Sequence, residues 1–201
     1  MHARFVQPVE LQAAASLRRI AGVRLLTART TLQPLGPADV DAVHAIWTHA
    51  DVRRYLCDDR VVSLQQSRDW LTTSARNFDT RGFGLWGVHV DGGAMAGVVG
   101  CQRWPSSDEP ELMYALLPGW WRQGLATEAT QAVLAHVFER LGHPLAVAAT
   151  DPPNQASIRV LDRLGMVFAD RVILHERETL VYRLSRERWR RLHGLAHTPA
   201  P

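Results

Sequence analysis

The sequence contains no lysine, although 23 of its 201 residues are arginine. Nucleotide-binding loops of the Walker type need a lysine at the phosphates, and Schiff-base catalysis needs a lysine amine. Neither chemistry is therefore expected. We attribute the arginine bias to a GC-rich genome rather than to a phosphate-binding surface, so the net charge of +3 does not by itself indicate a nucleic-acid partner.

Cysteine is scarce, and long apolar runs are missing. Cys57 and Cys101 are too few for a disulfide framework or a four-ligand metal site, so we expect reduced thiols, no metal and a cytoplasmic protein. No run of roughly 18 apolar residues occurs, which argues against a transmembrane helix. The N-terminal segment lacks the unbroken apolar core of a signal peptide and carries two arginines where small residues would mark a cleavage site. Neither secretion nor a membrane partner is expected.

The remaining composition is that of a globular domain, with 46% hydrophobic and 21% charged residues. We predict an N-terminal extension at 1–21, one domain at 22–188 and a C-terminal tail at 189–201. Ser63 followed by Gln66 has the spacing of a capping box at a helix start. The elements predicted from apolar spacing are a strand at 23–35, helices at 39–48 and 63–77, strands at 83–90, 94–103 and 111–117, a helix at 127–141, a strand at 145–150, a helix at 155–164, and strands near 167 and 180–184. This order defines an α+β fold in which an antiparallel meander passes into a β-α-β unit.

One segment, LLPGWWRQGLATEA at 116–129, joins a predicted strand to a predicted helix. The free N–H groups and the dipole at a helix start attract anions. Gly124 and Ala126 allow close approach of a ligand to the backbone, Arg122 can add a charged contact, and Thr127 can bond an oxygen. A pyrophosphate fits this description, and so does an ordinary turn in which glycine only supplies an unusual backbone conformation.

Two residues of the meander are candidate general bases. Glu111 begins an otherwise apolar strand face and can accept a proton directly or through a water, and His89 can titrate near neutral pH. A solvated strand-end glutamate and a half-buried histidine are equally compatible with these positions. Trp86, His89 and Tyr55 are candidates for lining an acceptor pocket, although aromatic residues in such a domain also serve as core.

The segment at 116–129 resembles the acyl-CoA loop of the GNAT-superfamily N-acetyltransferases. That family's pattern is Gln or Arg, two residues, Gly, one residue, and Gly or Ala; Gly124 and Ala126 occupy the last two positions, and Trp121 stands at the first. An aromatic residue there, followed by the letters ATEA, is typical of the subgroup that resembles ribosomal-protein N-terminal (alanine/serine) acetyltransferases. A second signature follows, in which Asn154 and Ser157 precede Leu-Gly-Met at 164–166, where the family has Gly-Phe.

The resemblance covers roughly residues 23–184. It implies a mixed, mostly antiparallel twisted sheet flanked by helices, and acetyl-CoA as co-substrate in a direct transfer within a ternary complex. It further implies that Leu116 contacts the pantetheine arm, that Asn154 contacts CoA and that Ser157 protonates the leaving thiolate. A tyrosine that many members place shortly after this serine is Leu161 here. The loop residues that would hold the pyrophosphate are Arg122, Gln123, Gly124, Leu125, Ala126 and Thr127.

The expected function is transfer of an acetyl group from acetyl-CoA to a primary amine. At pH 7 about one α-amine in seven is neutral, against roughly one lysine side chain in 2,500, so a protein or peptide N-terminus needs the least activation. The fold does not determine the acceptor, and an amino acid, a polyamine or an aminoglycoside stays open. A catalytically silent domain that only binds acyl-CoA also stays open, as does a homodimer. Nucleic acid is not the expected partner, because the arginines at 183–191 fit a solvated helix face.

Overall fold

The computed structural model describes residues 23–105, 107–174 and 176–195. The extension predicted at 1–21 lies outside the described residues. The strands are β1 (Leu25–Leu26), β2 (Thr30–Pro34), β3 (Leu85–Val90), β4 (Met95–Arg103), β5 (Pro110–Leu116), β6 (Leu145–Thr150), β7 (Val167–Leu174) and β8 (Arg177–Ser185). The helices are α1 (Val40–Thr48), α2 (Ala50–Arg53), α3 (Leu64–Arg81), α4 (Leu125–Ala135, continued by a π-helical turn at His136–Arg140), α5 (Gln155–Arg163) and α6 (Arg186–Leu192).

The eight strands form one sheet in the order β1-β2-β3-β4-β5-β6-β8-β7. β5 and β6 pair in parallel, whereas the other neighbours pair in antiparallel fashion. The chain between β5 and β6 crosses through α4, as a parallel connection requires. The predicted α+β fold, with its meander and its β-α-β unit, is confirmed.

Helices cover both faces of the sheet, because the strands alternate apolar residues between two cores. Leu112 and Leu116 of β5 pack with Val133 of α4 and Leu161 of α5 in one core. Ala115 of β5 belongs to the other core, together with residues of α1, α2 and α3. The two-residue period of β5 therefore decides which side chains face α4 and which face α1–α3.

The predicted capping box at the start of α3 is confirmed. Ser63 Oγ accepts the Gln66 N–H at 3.1 Å, and Gln66 Oε1 accepts the Ser63 N–H at 2.8 Å. The helix ends at Gly82, whose φ of 78° places it in the left-handed region. The sequence signals at both ends of α3 thus act as local rules predict, although the helix runs four residues past the predicted end.

Several predicted boundaries of helices and strands are wrong. The single strand at 23–35 is broken into β1 and β2 by a turn in which the Thr27 N–H bonds the Thr30 carbonyl at 2.9 Å. α4 begins at Leu125 rather than at residue 127, and the helix α2 was not predicted, whereas α6 lies within the segment 183–191 whose arginines indicated a helix face. The predicted domain end at 188 falls inside α6, where Trp189 is 3% exposed and packs near the Phe138 ring. Tertiary burial of this tryptophan, which a linear pattern does not reveal, extends the packed unit.

No helix in the described part of the chain has both the length and the apolar composition needed to cross a membrane. No group of three or more histidine, cysteine or acidic side chains there could hold a metal ion.

Gly97 of β4 lies directly against the backbone of β5. A methyl group added to Gly97 would lie 2.8 Å from Leu116 Cα and would overlap the Ala115 carbonyl oxygen. We expect Gly97→Ala to lower the free energy of unfolding by about 1–3 kcal/mol, the usual cost of overpacking, as measured by urea denaturation. Gly36→Ala is the control, because nothing lies within 4 Å of the added methyl group. Equal stability of the two variants would contradict the close approach.

Candidate active site

A notch opens in the middle of the sheet between β5 and β6. β5 pairs with β4 along its whole length, from Pro110 to Leu116. Its pairing with β6 is limited to Glu111 opposite Val147 and Leu112 opposite Ala148. Beyond Leu112 the two parallel strands therefore separate, which leaves one edge of β5 without a strand neighbour.

Backbone groups of β5 face this notch. The Leu117 N–H bonds the Ala96 carbonyl at 2.9 Å, so Leu116 and Gly97 form a non-hydrogen-bonded pair. The N–H and C=O groups of Leu116 consequently point away from β4, toward the notch, and by alternation those of Tyr114 do the same. The Trp121 indole Nε1 donates to the Leu116 carbonyl at 2.6 Å. The Leu116 N–H therefore faces the notch, where an extended amide chain can accept a hydrogen bond from it.

The N-terminus of α4 directly follows the loop that leaves β5. α3, α5 and α6 begin at residues whose side chains accept a backbone N–H, namely Ser63, Asn154 and Ser185. α4 begins at Gly124, which has no side chain, and no side-chain cap bonds its first N–H groups. The amides of residues 125–127 are therefore uncapped donors at the positive end of the helix dipole.

Two residues of this loop have a left-handed backbone conformation. Gly124 has φ +79° and Arg122 has φ 60°, and a left-handed conformation is unfavourable for an arginine. Thr127 Oγ1 is buried and has no hydrogen-bond partner among the described residues. The uncapped N–H groups of 125–127, the unpaired hydroxyl of Thr127 and the exposed side chain of Arg122 fit the pyrophosphate of a nucleotide-type cofactor.

Glu111 lies at the closed end of the notch. Its side chain projects to the face of the sheet that α1–α3 cover, opposite to α4, and Gln102 Nε2 donates to its Oε2 at 3.1 Å. Burial raises the pKa of the Glu111 carboxyl above its ordinary value, and the Gln102 hydrogen bond offsets part of this effect. A raised pKa makes this carboxylate a stronger base than an exposed glutamate.

Ser157 and Asn154 lie on the other face, at the start of α5. Asn154 Oδ1 accepts the Ser157 N–H at 3.1 Å, so this asparagine is the N-cap of the helix. Tyr114 Oη lies 2.8 Å from Ser157 Oγ, and burial raises the pKa of this phenol. Sequence reasoning missed Tyr114, because its position in the alternation of β5 is that of a core residue. Leu161, where family members often have a tyrosine, is 1% exposed in the core.

The three residues predicted to line an acceptor pocket are not brought together. Trp86 is 0% exposed, and its Nε1 donates to the Val23 carbonyl at 2.8 Å, so this residue is core rather than pocket wall. His89 pairs with Met95, about 23 Å along β4 from the residue opposite Glu111. Its Nδ1 lies 3.0 Å from the Gly93 carbonyl oxygen. Tyr55 is 36% exposed and follows α2 on the α1–α3 side of the sheet.

A shallow depression lies on the α1–α3 side of the sheet. Its wall includes Gln102, the hydrogen-bond partner of Glu111. The sequence signal that could have found it is the helical spacing of polar and aromatic residues on α3. The lining residues are Trp70, Thr73, Ser74, Asn77, Leu85, Cys101 and Gln102.

Comparison with known proteins agrees with this geometry. The family model described as an acetyltransferase (GNAT) domain matches residues 29–167, which include the notch, the loop and α5. The chain therefore belongs to the GNAT acetyltransferases, N-acetyltransferases whose family uses acetyl-CoA.

Among curated proteins, the N-acetyltransferase YoaA of Bacillus subtilis (strain 168), itself described as uncharacterized, is 27% identical over 143 residues. This match covers 70% of the chain and 81% of YoaA. An acetyltransferase structure from Agrobacterium tumefaciens str. C58 is 25% identical with a TM-score of 0.70, covering 92% of this chain and 98% of that one.

The ribosomal L7/L12 alpha-N-protein acetyltransferase RimL, solved with coenzyme A, shares the fold. It is 19% identical with a TM-score of 0.68, and the match covers 81% of this chain and 97% of RimL. At this identity the likeness extends to the fold alone.

Proposed function

We propose that this protein transfers the acetyl group of acetyl-CoA directly to the α-amine of a protein or peptide N-terminus. The observation that carries the proposal is the notch itself. It joins an uncapped helix start at 125–127 to the backbone N–H of Leu116, which faces the notch, and ends at the half-buried carboxylate of Glu111. β5 and the loop after it therefore carry an anion site, an edge on which an amide chain can dock, and a base.

In this proposal the loop at 122–127 binds the pyrophosphate and Leu116 orients the pantetheine arm. Acetyl-CoA supplies the acetyl group as a thioester. Glu111 accepts the proton of the attacking amine, through a water, from the α1–α3 side of the sheet. A backbone N–H facing the notch stabilises the oxyanion. The amine nitrogen bonds to the thioester carbon first, and the C–S bond breaks when the tetrahedral intermediate collapses. Ser157, held by Asn154 and Tyr114, then donates a proton to the sulfur and regains one from water, while Glu111 releases the amine proton to water.

Two considerations support an α-amine as acceptor. An α-amine has a pKa near 7.7–8.0, so a carboxylate base of moderately raised pKa suffices, whereas a lysine amine near 10.4 would need much more help. RimL, which shares this fold, is an alpha-N-protein acetyltransferase, so the fold is compatible with an acceptor of this kind. The depression beside Gln102 supplies a surface on which an acceptor could lie.

Thermal unfolding with and without acetyl-CoA tests the cofactor site without any assumption about the acceptor. At about 100 times its Kd the ligand should add roughly 2.7 kcal/mol of stability, which corresponds to about 5–10 °C in Tm. The matched control ligands are CoA and pantetheine, of which only CoA carries the pyrophosphate. No shift at millimolar acetyl-CoA would contradict the proposal that the loop binds it.

Release of CoA thiol with a panel of amines then tests the acceptor. We expect turnover with peptides that carry a free N-terminus and none with the same peptides after N-terminal acetylation. Matched peptides with a blocked N-terminus and an internal lysine separate α-amines from side-chain amines. Faster turnover of an amino acid, a polyamine or an aminoglycoside would replace the peptide proposal, and release that no amine stimulates would indicate a domain that only binds acyl-CoA.

A further inference from the structure

The turn between β1 and β2 is tied to the start of α4 by a dense set of contacts. Arg29 Nε donates to Glu128 Oε2 at 2.7 Å, and Arg29 Nη2 lies 2.6 Å from the same oxygen. The Arg29 backbone N–H and Thr27 Oγ1 donate to Glu128 Oε1 at 2.8 and 2.6 Å. Arg29 Nη1 also donates to the Gln123 carbonyl at 2.9 Å. One arginine therefore holds both the loop before Gly124 and the first turn of the helix.

Glu128 creates an electrostatic problem for an anion site. An acidic residue in the first turn is favoured by the helix dipole, but a diphosphate bound to the same turn meets its carboxylate as a like charge. The Glu128 side chain is only 18% exposed, so water screens it incompletely. Burial alone would raise the pKa of Glu128, but hydrogen bonds from Thr27 and Arg29, and the Arg29 charge, bring the pKa below its ordinary value. The carboxylate is thus ionised at neutral pH.

We propose that Arg29 is a positioning residue for the diphosphate of acetyl-CoA, acting through Glu128 and the Gln123 carbonyl. It neutralises the carboxylate and binds the carbonyl oxygen, so that neither acceptor faces the diphosphate unpaired. The inference rests on the proposed binding of acetyl-CoA at 122–127. It assigns the β1–β2 turn, which is remote in sequence from the loop, a part in cofactor affinity.

Steady-state kinetics of three variants tests this role. Arg29→Gln is expected to raise the KM for acetyl-CoA about tenfold, with kcat little changed, because Glu128 is left as an uncompensated charge. Glu128→Gln is expected to lower this KM, since the Arg29 charge is then left beside the diphosphate. The double variant Arg29→Gln/Glu128→Gln should recover most of the affinity lost by Arg29→Gln. The Tm of each variant, measured alongside, checks that the protein is folded.

S-acetylpantetheine, which lacks the diphosphate, is the matched donor. Its kinetic constants should be the same for the wild type and Arg29→Gln, whereas a merely structural role would impair both donors. A double variant as weak as Arg29→Gln alone would overturn the inference, since Arg29 would then act on the ligand directly or through folding. If Arg29→Gln does not fold, a KM raised by Glu128→Gln overturns it as well.

A glycine variant separates this inference from the proposed function. Gly124→Val should raise the KM for acetyl-CoA if the loop binds the diphosphate. If Gly124→Val has no effect, the loop assignment fails. If Gly124→Val raises the KM and Arg29→Gln does not, the role of Arg29 alone is refuted.

Discussion

Replacing Glu111 by glutamine is expected to lower kcat/KM at neutral pH by about 10²–10⁴-fold, the usual contribution of a general base. Glutamine keeps the size of the side chain and can still bond Gln102, but it cannot accept the proton of the amine. The KM for acetyl-CoA should stay within a small factor of the wild-type value, because Glu111 lies on the opposite face from the loop. CoA release with a peptide acceptor is the measurement.

The pH dependence gives a second readout of the same variant. The rate of the wild type should rise with pH through the raised pKa of Glu111, since only the carboxylate accepts a proton. Glu111→Gln should lose this limb and keep the one that reflects the amine. Retention of both limbs would assign the base to another group.

Glu111→Gln should lower the activity without lowering the thermal stability of the protein. The folded state raises the pKa of Glu111, so its protonated form favours folding, and this contribution is lost as the pH rises through the folded pKa. At neutral pH the half-buried carboxylate costs stability, and Glu111→Gln should unfold at the same or a higher temperature than the wild type. A lower activity without a lower Tm excludes unfolding as the cause.

Glu109→Gln is the matched control for these measurements. Glu109 lies just before β5 and accepts a hydrogen bond from the Ser107 hydroxyl at 2.9 Å, away from the notch. Removing its charge should leave the pH profile of the reaction unchanged. An equal loss of activity in both variants would show that negative charge at this end of β5, rather than a specific base, supports the reaction.

Replacing Gly124 by valine is expected to raise the KM for acetyl-CoA by at least about tenfold and to abolish the stabilisation by this ligand. Valine is disfavoured at φ +79°, and a Cβ at this position lies 3.5 Å from Arg29 Nη2. The contact with Arg29 is of ordinary length, so it is the change of backbone conformation that moves the uncapped N–H groups proposed to hold the pyrophosphate. Initial rates at varied acetyl-CoA, together with Tm shifts, measure the change.

Gly92→Val separates backbone strain from ligand binding. Gly92 has φ +71° in the turn between β3 and β4, and nothing lies within 4 Å of a Cβ there. The two substitutions therefore carry a similar conformational cost, but only Gly124 belongs to the loop. An equal rise of KM in both variants would mean that general destabilisation, not the loop, accounts for the result.

Local signals made several elements predictable. The Ser63–Gln66 box and Gly82 delimit α3, because a capping box and a left-handed glycine act over a few residues. The start of α4 was predicted less well, since the helix begins at Leu125, two residues before the predicted position. Trp86 shows where such reasoning fails, since hydrophobicity predicts equally well a tryptophan that lines a pocket and one that fills the core.

The sequence by itself determined the α+β class, the order of most elements and the position of the uncapped loop, because periodicity, caps and glycines are local properties. Only the tertiary structure decided that β5 and β6 separate after Leu112 and that Tyr114 meets Ser157. It also decided that Arg29 reaches Glu128, 99 residues further along the chain. These contacts depend on the register and spacing of strands and helices that are distant in sequence, and no local pattern specifies which side chains will then face each other.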